Sequence, residues 1–488
     1  MKLGKHIFGV GAMTGVSRIF GFVRDMLIAR VLGAGRLSDI FFAAFRLPNL
    51  FRDLLGEGAL SVIFIPMYND SKKDESFAKN VFSWLIMVLL GLTILFEIFM
   101  PLVVWAMAPG FSEDPGKMLL TVKISRIMFV YVIFICGAAF LSAILNAFSR
   151  FFLAAFMPVL LNIMLIGALL LAMYTGAEAN ALFIMATTVV LSGILQFGIL
   201  WMRVRRRHFG LRLIIPKWTP QIRNMFGRFG VSIFGSGFYQ ITIIVGTLVA
   251  SWQSGAISWL YYSDRIVQLP FAMIGLAVGT VLISSISNAL AENNMRSVHI
   301  QQNSSMRRSM MLILPCVAGV FVLAEPIIKY LFQHGAWTAA STHAVANAIM
   351  IQVFVLPAML ISQIYSKTLY ATQDVKTPVR TSMISLGVAC ALYISLFWVV
   401  GYLAIPVGIV VSGYLKNYLL GRACRKRGLW KTDNRTFHAV TLFAFLAAIL
   451  GIALSFIQIT SIWMLGATIC GYAIIYLPIA YIIDRKIK

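Results

Sequence analysis

Arginines and aspartates stand inside apolar runs of this sequence, where a lipid bilayer would exclude them. The first run holds Arg18, Arg24, Asp25 and Arg30, and the second holds Asp39, Arg46, Arg52, Asp53 and Glu57. In the second half of the chain Asp264 and Arg265 follow Trp259-Leu260-Tyr261-Tyr262-Ser263, while Glu97, Glu325 and Lys367 occur singly. Helical spacing groups these charges. Arg18 and Asp25 fall on nearly one face, as do Arg46 and Asp53, with Arg24 about 120° from Arg18 and Arg52 beside Asp53. Ionisable groups inside a membrane span usually face a cavity or a partner. Guanidinium offers a rigid fork of donors that matches phosphate oxygens and keeps its charge when partly desolvated. The chemistry implied is recognition of an anion by Arg18, Arg24, Arg52 and Arg265. Asp25, Asp39, Asp53, Glu57 and Asp264, with Arg46, are read as supporting charges or gates. The alternative is that neighbours such as Arg24 and Asp25, or Arg52 and Asp53, are internal ion pairs holding helices together. Arg30 and Arg36 can also snorkel to the interface.

No catalytic or metal-binding pattern accompanies these charges. The histidines (His6, His208, His299, His334, His343, His438) fall mostly in loops or at span ends, and none is paired at metal-ligand spacing. The cysteines (Cys136, Cys316, Cys390, Cys424, Cys470) are scattered without redox or metal spacing, so no disulfide framework is expected. A Walker-type phosphate loop is missing as well, which argues against ATP hydrolysis. Neither a metal nor another cofactor is expected, and the chain is read as a transporter without covalent chemistry. A membrane glycosyltransferase or phosphatase acting on a lipid carrier would need acid or histidine clusters outside the membrane. The loops here are too short and too basic for that.

The elements that must position the charges follow from composition. The 488-residue chain is 60% hydrophobic and only 12% charged, against about 25% charged residues in a soluble globular protein. Such a chain belongs in a membrane. A spanning helix needs about 20 mostly apolar residues, and such stretches lie near 6–32, 37–67, 80–108, 118–147, 152–174, 180–202, 224–251, 257–289, 309–332, 343–371, 379–400, 403–421, 437–458 and 462–483. The expected fold is therefore an all-α polytopic membrane protein of about 14 transmembrane helices. The opening run is read as the first of them and not as a cleaved leader, because Arg18, Arg24 and Asp25 interrupt it and no small-x-small site closes it.

Charge sorts the loops. SKKDESFAK (71–79), RVRRRHFGLR (203–212), MRSVHIQQNSSMRR (295–308), RACRKRG (422–428) and DRKIK (484–488) are basic, whereas GAGRLS, APGFSEDPGK, YTGAEAN and SWQSGA are nearly free of basic residues. This is the positive-inside signature, and it places both termini in the cytoplasm. Much of the net charge of +24 is thus an orientation signal, and no nucleic-acid partner is expected.

The chain also repeats itself. Ser38-Asp39-Ile40-Phe41-Phe42 precedes Ser258-Trp259-Leu260-Tyr261-Tyr262 by about 220 residues, and the basic ends after Trp201 and after Gly421 share nearly the same offset. A repeat of six spans keeps one orientation, which predicts two six-helix lobes around a central cavity. Residues 1–202 form the first lobe, 203–223 a basic cytoplasmic linker and 224–428 the second lobe. Residues 436–484 add a helix pair outside the repeat. Glycine and proline punctuate the first two spans (Gly9, Gly11, Gly15, Gly21; Pro48, Gly56, Gly58), as they do where helices line a cavity or bend.

Several blocks are more specific. Met13-Thr14-Gly15-Val16-Ser17-Arg18-Ile19-Phe20-Gly21-Phe22-Val23-Arg24-Asp25 resembles the opening of MurJ/MviN-family proteins. The same is true of Ser38-Asp39 through Arg46-Leu47-Pro48-Asn49 to Arg52, and of Gly56-Glu57-Gly58-Ala59-Leu60-Ser61. Trp259 to Arg265 with Pro270, and Gln373-Asp374-Val375-Lys376-Thr377-Pro378, extend the resemblance along the chain. It implies the fold of the multidrug/oligosaccharidyl-lipid/polysaccharide exporters, with the last two spans forming a groove for a polyprenyl tail. It also implies a lipid II flippase of the bacterial inner membrane, which moves the undecaprenyl-diphosphate-linked peptidoglycan precursor from the cytoplasmic to the periplasmic leaflet by alternating access. The implied substrate contacts are Arg18, Arg24, Arg52 and Arg265, supported by Asp25, Asp39, Arg46 and Asp264. Lipid II and membrane lipids are the expected partners of a monomer, with cell-wall synthesis enzymes as further candidates. Gln268 stands where some relatives carry an acid, and the seventh and eleventh spans lack one, which counts against sodium coupling. Competing readings are a flippase for another polyprenyl-diphosphate glycan, a cation-coupled multidrug exporter, whose cavity should be acidic or aromatic, and a non-transporting scaffold.

Overall fold

The computed structural model describes residues 2–54, 61–71, 73–206, 210–292 and 294–487, and over these residues the chain is all-α, with no strand. Nine helical segments among them are long and apolar enough to cross a membrane, one of them running through two consecutive spans from Lys376 to Lys426. The chain divides into two compact units, Met1–Ile257 with His334–Trp337, and Ser258–Gln333 with Thr338–Lys488.

The first unit contains α1 (Lys2–Leu32), α2 (Arg36–Phe51), α3 (Ser61–Asp70), α4 (Glu75–Met107), α5 (Pro115–Phe129), α6 (Tyr131–Ala147), α7 (Phe152–Tyr174), α8 (Ala181–Arg205) and α9 (Pro220–Ala250). Helix starts follow local chemistry. Asp74, Asp114 and Thr219 each accept a hydrogen bond from a backbone amide of the first turn, and prolines open α5 and α9. Such caps contribute about 1 kcal/mol each, and proline at the first helical position costs no hydrogen bond. The core at one end of this unit joins Phe64, Tyr68, Phe82, Phe140, Leu141 and Leu200. It is aromatic, with the Phe64 and Phe140 rings 4.8 Å apart and Phe82 stacked on Phe140 at 5.5 Å. Leu211 and Ile222 join that core, so the stretch after α8 is anchored to it. The anchor is polar as well: Asn80 donates to the Lys217 carbonyl and accepts from its amide, and Ser83 accepts from the Ile214 amide.

The second unit contains nearly all of α10 (Ala256–Ala291), then α11 (Met295–Phe332), α12 (Ala339–Gln352), α13 (Val355–Ala371), α14 (Lys376–Val400), α15 (Ala404–Lys426), α16 (Asn434–Ser455) and α17 (Ile462–Ile487). The last two helices pack on α11 and on each other. Phe443, Ala447, Tyr476 and Ala480 form a buried cluster against Met311, Leu314 and Ala318. At its far end Arg307 donates to Asp484 at 3.2 Å and to Thr436 at 3.1 Å, all three buried. Two of the expected spans are interrupted. The fourth span breaks between α5 and α6 at Val130, and the tenth breaks between α12 and α13 at Val353 and Phe354.

Basic stretches read as loops are in part helical: α15 carries 422–426 and α17 carries 484–487, and a third is helical throughout. The basic stretch 295–308 is not a loop but the first part of α11. Asn294 caps it through the Ser297 amide, and it buries Val298, Gln302, Asn303, Met306 and Arg307. Gln302 donates to Thr368, and Asn303 binds the Lys431 carbonyl and the Asp433 amide. Basic residues report the side of the membrane and say nothing of backbone conformation, so a cytoplasmic helical extension reads as a loop.

The turn before α12 belongs to the first unit. The Ala336 amide donates to the Arg30 carbonyl at 2.8 Å, and Gly335 and Gly33 both adopt left-handed backbone, at φ 62° and 68°. A Cβ on Gly33 would lie 2.6 Å from the Ala336 carbonyl oxygen, and one on Gly335 would collide with the Arg30 carbonyl. Gly335→Ala is expected to destabilise the protein by about 2–3 kcal/mol, conformational strain adding to overpacking. Gly176→Ala, with a similar φ but open space around it, should cost about 1 kcal/mol or less. Thermal unfolding of the two variants in detergent checks the difference.

Candidate functional site

Arg52 and Asp53 stand at the break in the second span. Proline at position 48 removes one amide donor from the α2 ladder, and residues 52–54 take π-helical form directly after Phe51. Such widened turns recur at functional sites because they re-aim side chains. Here the turn carries Arg52 and Asp53. Arg52 donates from Nε and Nη2 to Asp53 Oδ1 at 3.3 and 3.1 Å, and Gln240 of α9 donates to Asp53 Oδ2 at 3.3 Å. Both side chains are part-exposed. Arg46, on the same face of α2, donates to the Thr247 hydroxyl and the Ile243 carbonyl of α9. The alignment of positions 46 and 53 thus has a physical counterpart, since both side chains meet α9.

Arg24 is arranged differently. Its Nε and Nη2 donate to Asp25 Oδ1 at 3.0 and 2.7 Å, and its Nη1 donates to Asn162 Oδ1 of α7 at 2.9 Å. Asn162 in turn donates to the Ser17 carbonyl. The pair is buried, with Arg24 7% and Asp25 1% exposed. Arg18, one and a half turns earlier, is exposed.

Asp39 lies in the first turn of α2, fully buried, where the helix N-terminus favours a carboxylate. It accepts from Lys117 Nζ at 2.9 Å and from the Gly255 amide at 2.7 Å. Lys117 is 5% exposed and sits 4.0 Å over the Phe111 ring. Just outside this lock Arg36 pairs with Asp114 through two bonds of 2.8 and 3.1 Å. The Arg36 guanidinium and the Lys117 amide hold the Asp114 carboxyl down at about 2, from an ordinary 3.8. Because the folded value is depressed, the pair's contribution is complete above about pH 4 and is lost as pH falls through 2. Arg36→Gln should return the Asp114 titration toward its ordinary value, which carboxylate NMR of a selectively labelled sample reads directly.

In the second unit Asp264 and Arg265 have different partners. Asp264 accepts from Gln352 Nε2 of α12, and Gln352 also accepts from Ser263 at 2.9 Å. Arg265 is exposed, donates to the Tyr261 hydroxyl at 2.7 Å and lies 4.9 Å from the Tyr261 ring centroid. Glu57 lies outside the described residues. The structure therefore gathers Arg46, Arg52 and Asp53 around α9, ties Arg24 and Asp25 to α7, sets Asp39 in a separate buried lock, and carries Asp264 and Arg265 in the other unit.

Sequence reasoning missed the neutral and loop-borne partners. Asn162 is the single polar side chain deep in the apolar run of α7, and an isolated amide within a span is a signal that could have found it. Gln352 and Gln240 stand out less, and Lys117 reads as one lysine in an outer loop.

The fold is one shared with solved multi-pass membrane proteins. The chain superposes with a TM-score of 0.85 on a solved structure entitled "Lipid II flippase MurJ, inward closed conformation", at 23% identity, over 98% of this chain and 99% of that one. An inward-facing multidrug resistance MATE family transporter of the MOP superfamily follows at 0.69 and 15% identity, over 84% and 94%. The family model described as "Lipid II flippase MurJ" matches residues 28–477. The probable lipid II flippase MurJ of Rhizobium tropici is 35% identical over 448 residues, 89% of this chain and 84% of the relative. The lipid II flippase MurJ of Burkholderia cenocepacia is 30% identical over 449 residues, 88% and 85%. This multi-pass membrane protein belongs to the MurJ family.

Proposed function

We propose that the protein is a lipid II flippase, carrying the undecaprenyl-diphosphate-linked peptidoglycan precursor from the cytoplasmic to the periplasmic leaflet of the bacterial inner membrane by alternating access, and that it does so without covalent chemistry. The relatives are named for that activity. The observation that carries the reading to this chain is a set of arginines within otherwise apolar stretches: Arg18 and Arg24 on α1, Arg52 on the π turn after α2, and Arg265 on α10. Both termini lie in the cytoplasm on this reading, in keeping with the basic ends of α8, α15 and α17. The functional divisions are those of the repeat, 1–202 and 224–428 with 203–223 between them, and the 436–484 pair holds the polyprenyl tail. The protein works as a monomer.

Each charge has a proposed role. Arg18, Arg52 and Arg265 are exposed or part-exposed and offer guanidinium to the diphosphate directly. Arg24 is held ready by Asp25 and Asn162 and contacts phosphate by exchanging one of those partners. Asp39, Arg46, Asp53, Glu57 and Asp264 set the positions of helix ends and guanidinium groups. A cationic site responds to membrane potential, since moving one charge through 100 mV is worth about 2.3 kcal/mol.

Arg265 gives a direct test, because its side chain is exposed on α10. Arg265→Ala is expected to accumulate normally in the membrane, yet to lower exposure of lipid II on the periplasmic face by more than about tenfold, as expected for a charge-assisted phosphate bond. Exposure is followed after depletion of any endogenous flippase. Unchanged exposure at equal expression removes Arg265 from the substrate path.

A further inference from the structure

The turn from α6 into α7 and the basic end of α8 enclose an open groove of about 500 Å³, lined by Arg150, Phe151, Phe152, Met202, Arg203 and Arg206 among others. No lining residue is acidic. Lys73 reaches the same turn, donating to the Ala147 carbonyl at 2.9 Å and lying 4.3 Å from the Phe148 ring centroid.

The second unit contains the same turn with a different outcome. Ser149 and Gln373 both adopt φ 60°. In the first turn the amides of Ser149 and Arg150 donate to the carbonyls of Asn146 and Leu145 at 2.9 and 3.0 Å. In the second, the amides of Gln373 and Asp374 donate to those of Tyr370 and Leu369 at the same two distances. The residue after the left-handed position is Asp374 in the second unit, where its carboxylate accepts from Arg427 at the basic end of α15. Arg427 donates also to the Thr377 hydroxyl at 3.1 Å. There one cation of the helix end is paired with a carboxylate. In the first unit the same position is Arg150, so a cation takes the place of the neutralising carboxylate and faces further cations at the end of α8.

Three arginines in one groove call for an anion. The remaining walls show what kind. Phe151, Phe152 and Met202 are exposed, and exposed apolar side chains continue along both helices, Ile163 and Leu170 on α7, Leu191 and Ile194 on α8. A small soluble anion would gain nothing from that surface, whereas an amphiphile uses both parts. We infer that this groove binds the phosphate of an anionic glycerophospholipid, with an acyl chain laid over Phe151, Phe152 and Met202. Basic pockets at membrane-facing helix ends recognise such head groups, each arginine adding to the attraction. The inference is independent of which molecule the protein transports.

The test is native mass spectrometry of the full-length protein, delipidated in mild detergent and titrated with phosphatidylglycerol or phosphatidylcholine. The wild-type protein is expected to retain phosphatidylglycerol selectively. Arg203→Gln alone should weaken retention about fivefold, and the triple change Arg150→Gln, Arg203→Gln, Arg206→Gln by on the order of a hundredfold, while phosphatidylcholine binding stays the same. The control Arg422→Gln, Arg425→Gln, Lys426→Gln removes the same charge from the end of α15 and should leave phosphatidylglycerol retention as it was. Equal retention by all variants overturns the proposal. An equal loss in the control does so too, since it reduces the effect to net charge. Finally, if the three arginines retain a polyprenyl diphosphate but not phosphatidylglycerol, the groove belongs to a substrate path and the proposal fails.

Discussion

Lys117→Met is expected to destabilise the protein by about 3–5 kcal/mol, because it strips a fully buried carboxylate of the ammonium that neutralises it. Asp39 would keep the Gly255 amide, but a neutral donor cannot replace a cation 2.9 Å away. Restoring neutrality by a second change should recover most of the loss. In Asp39→Asn with Lys117→Met, the side-chain oxygen at position 39 can still accept from Gly255, and methionine fills the lysine's volume against Phe111. Thermal unfolding in detergent ranks the three proteins. If the double variant is no more stable than Lys117→Met, the charge pair is not what holds α2 against α5 and the Gly255 turn. The exposed pair just beyond it, Arg36 with Asp114, should behave otherwise. Exposed pairs contribute little, so Arg36→Gln should scarcely move the unfolding midpoint.

The second large effect separates two roles for one residue. Arg24→Ala leaves Asp25 buried without its guanidinium, and the expected cost is again about 3–5 kcal/mol. Transport would fall on either account, structural or functional, so the single variant cannot discriminate. Pairing it with Asp25→Asn can. The double variant removes both charges and should regain most of the stability, with Asn162 still bound to the Ser17 carbonyl. If Arg24 contacts the diphosphate, lipid II exposure in the stable double variant stays more than about tenfold below wild type, the loss expected of a charge-assisted hydrogen bond. Recovery of exposure along with stability would make Arg24 a structural residue, and the anion would then be left to Arg18, Arg52 and Arg265.

The spans were legible in the sequence because the bilayer leaves a spanning backbone few choices. Every lipid-exposed amide must find its partner within its own helix, so length and hydropathy nearly decide the matter. What hydropathy does not carry is the state of the chain outside the lipid. Residues 295–308 are rich in Arg, Gln, Asn and Ser, and their helix is held by contacts to Thr368 and to residues 431–433 that local composition cannot announce. The site divides in the same way. The neighbour pairs Arg24 with Asp25 and Arg52 with Asp53 are local, and spacing exposes them. Asn162 and Gln240 reach these pairs from remote positions, as Gln352 reaches Asp264 and Lys117 reaches Asp39. Of these, only Asn162 advertises itself, as a lone amide in α7. The repeat lay between the two cases. Short matches pointed to it, and the interrupted fourth and tenth spans and the alike turns at Ser149 and Gln373 are features that no short match announces.

The four residues His334–Trp337 have a bearing on how the protein is made. They complete the first unit, yet they follow its main segment by 80 positions, 337 against 257. A ribosome adding about 5–20 residues per second needs roughly 4–16 s to cover that distance. Throughout that interval the nascent first unit has its own helices but not the Gly335 turn, and the end of α1 waits with the Arg30 carbonyl unclaimed by Ala336. Assembly is therefore ordered by the genetic message. The amino-terminal bundle can gather as it emerges, but its last staple arrives only with α11 already synthesised. A chain severed after residue 257 would lack that staple for good, unless the second fragment brought it back.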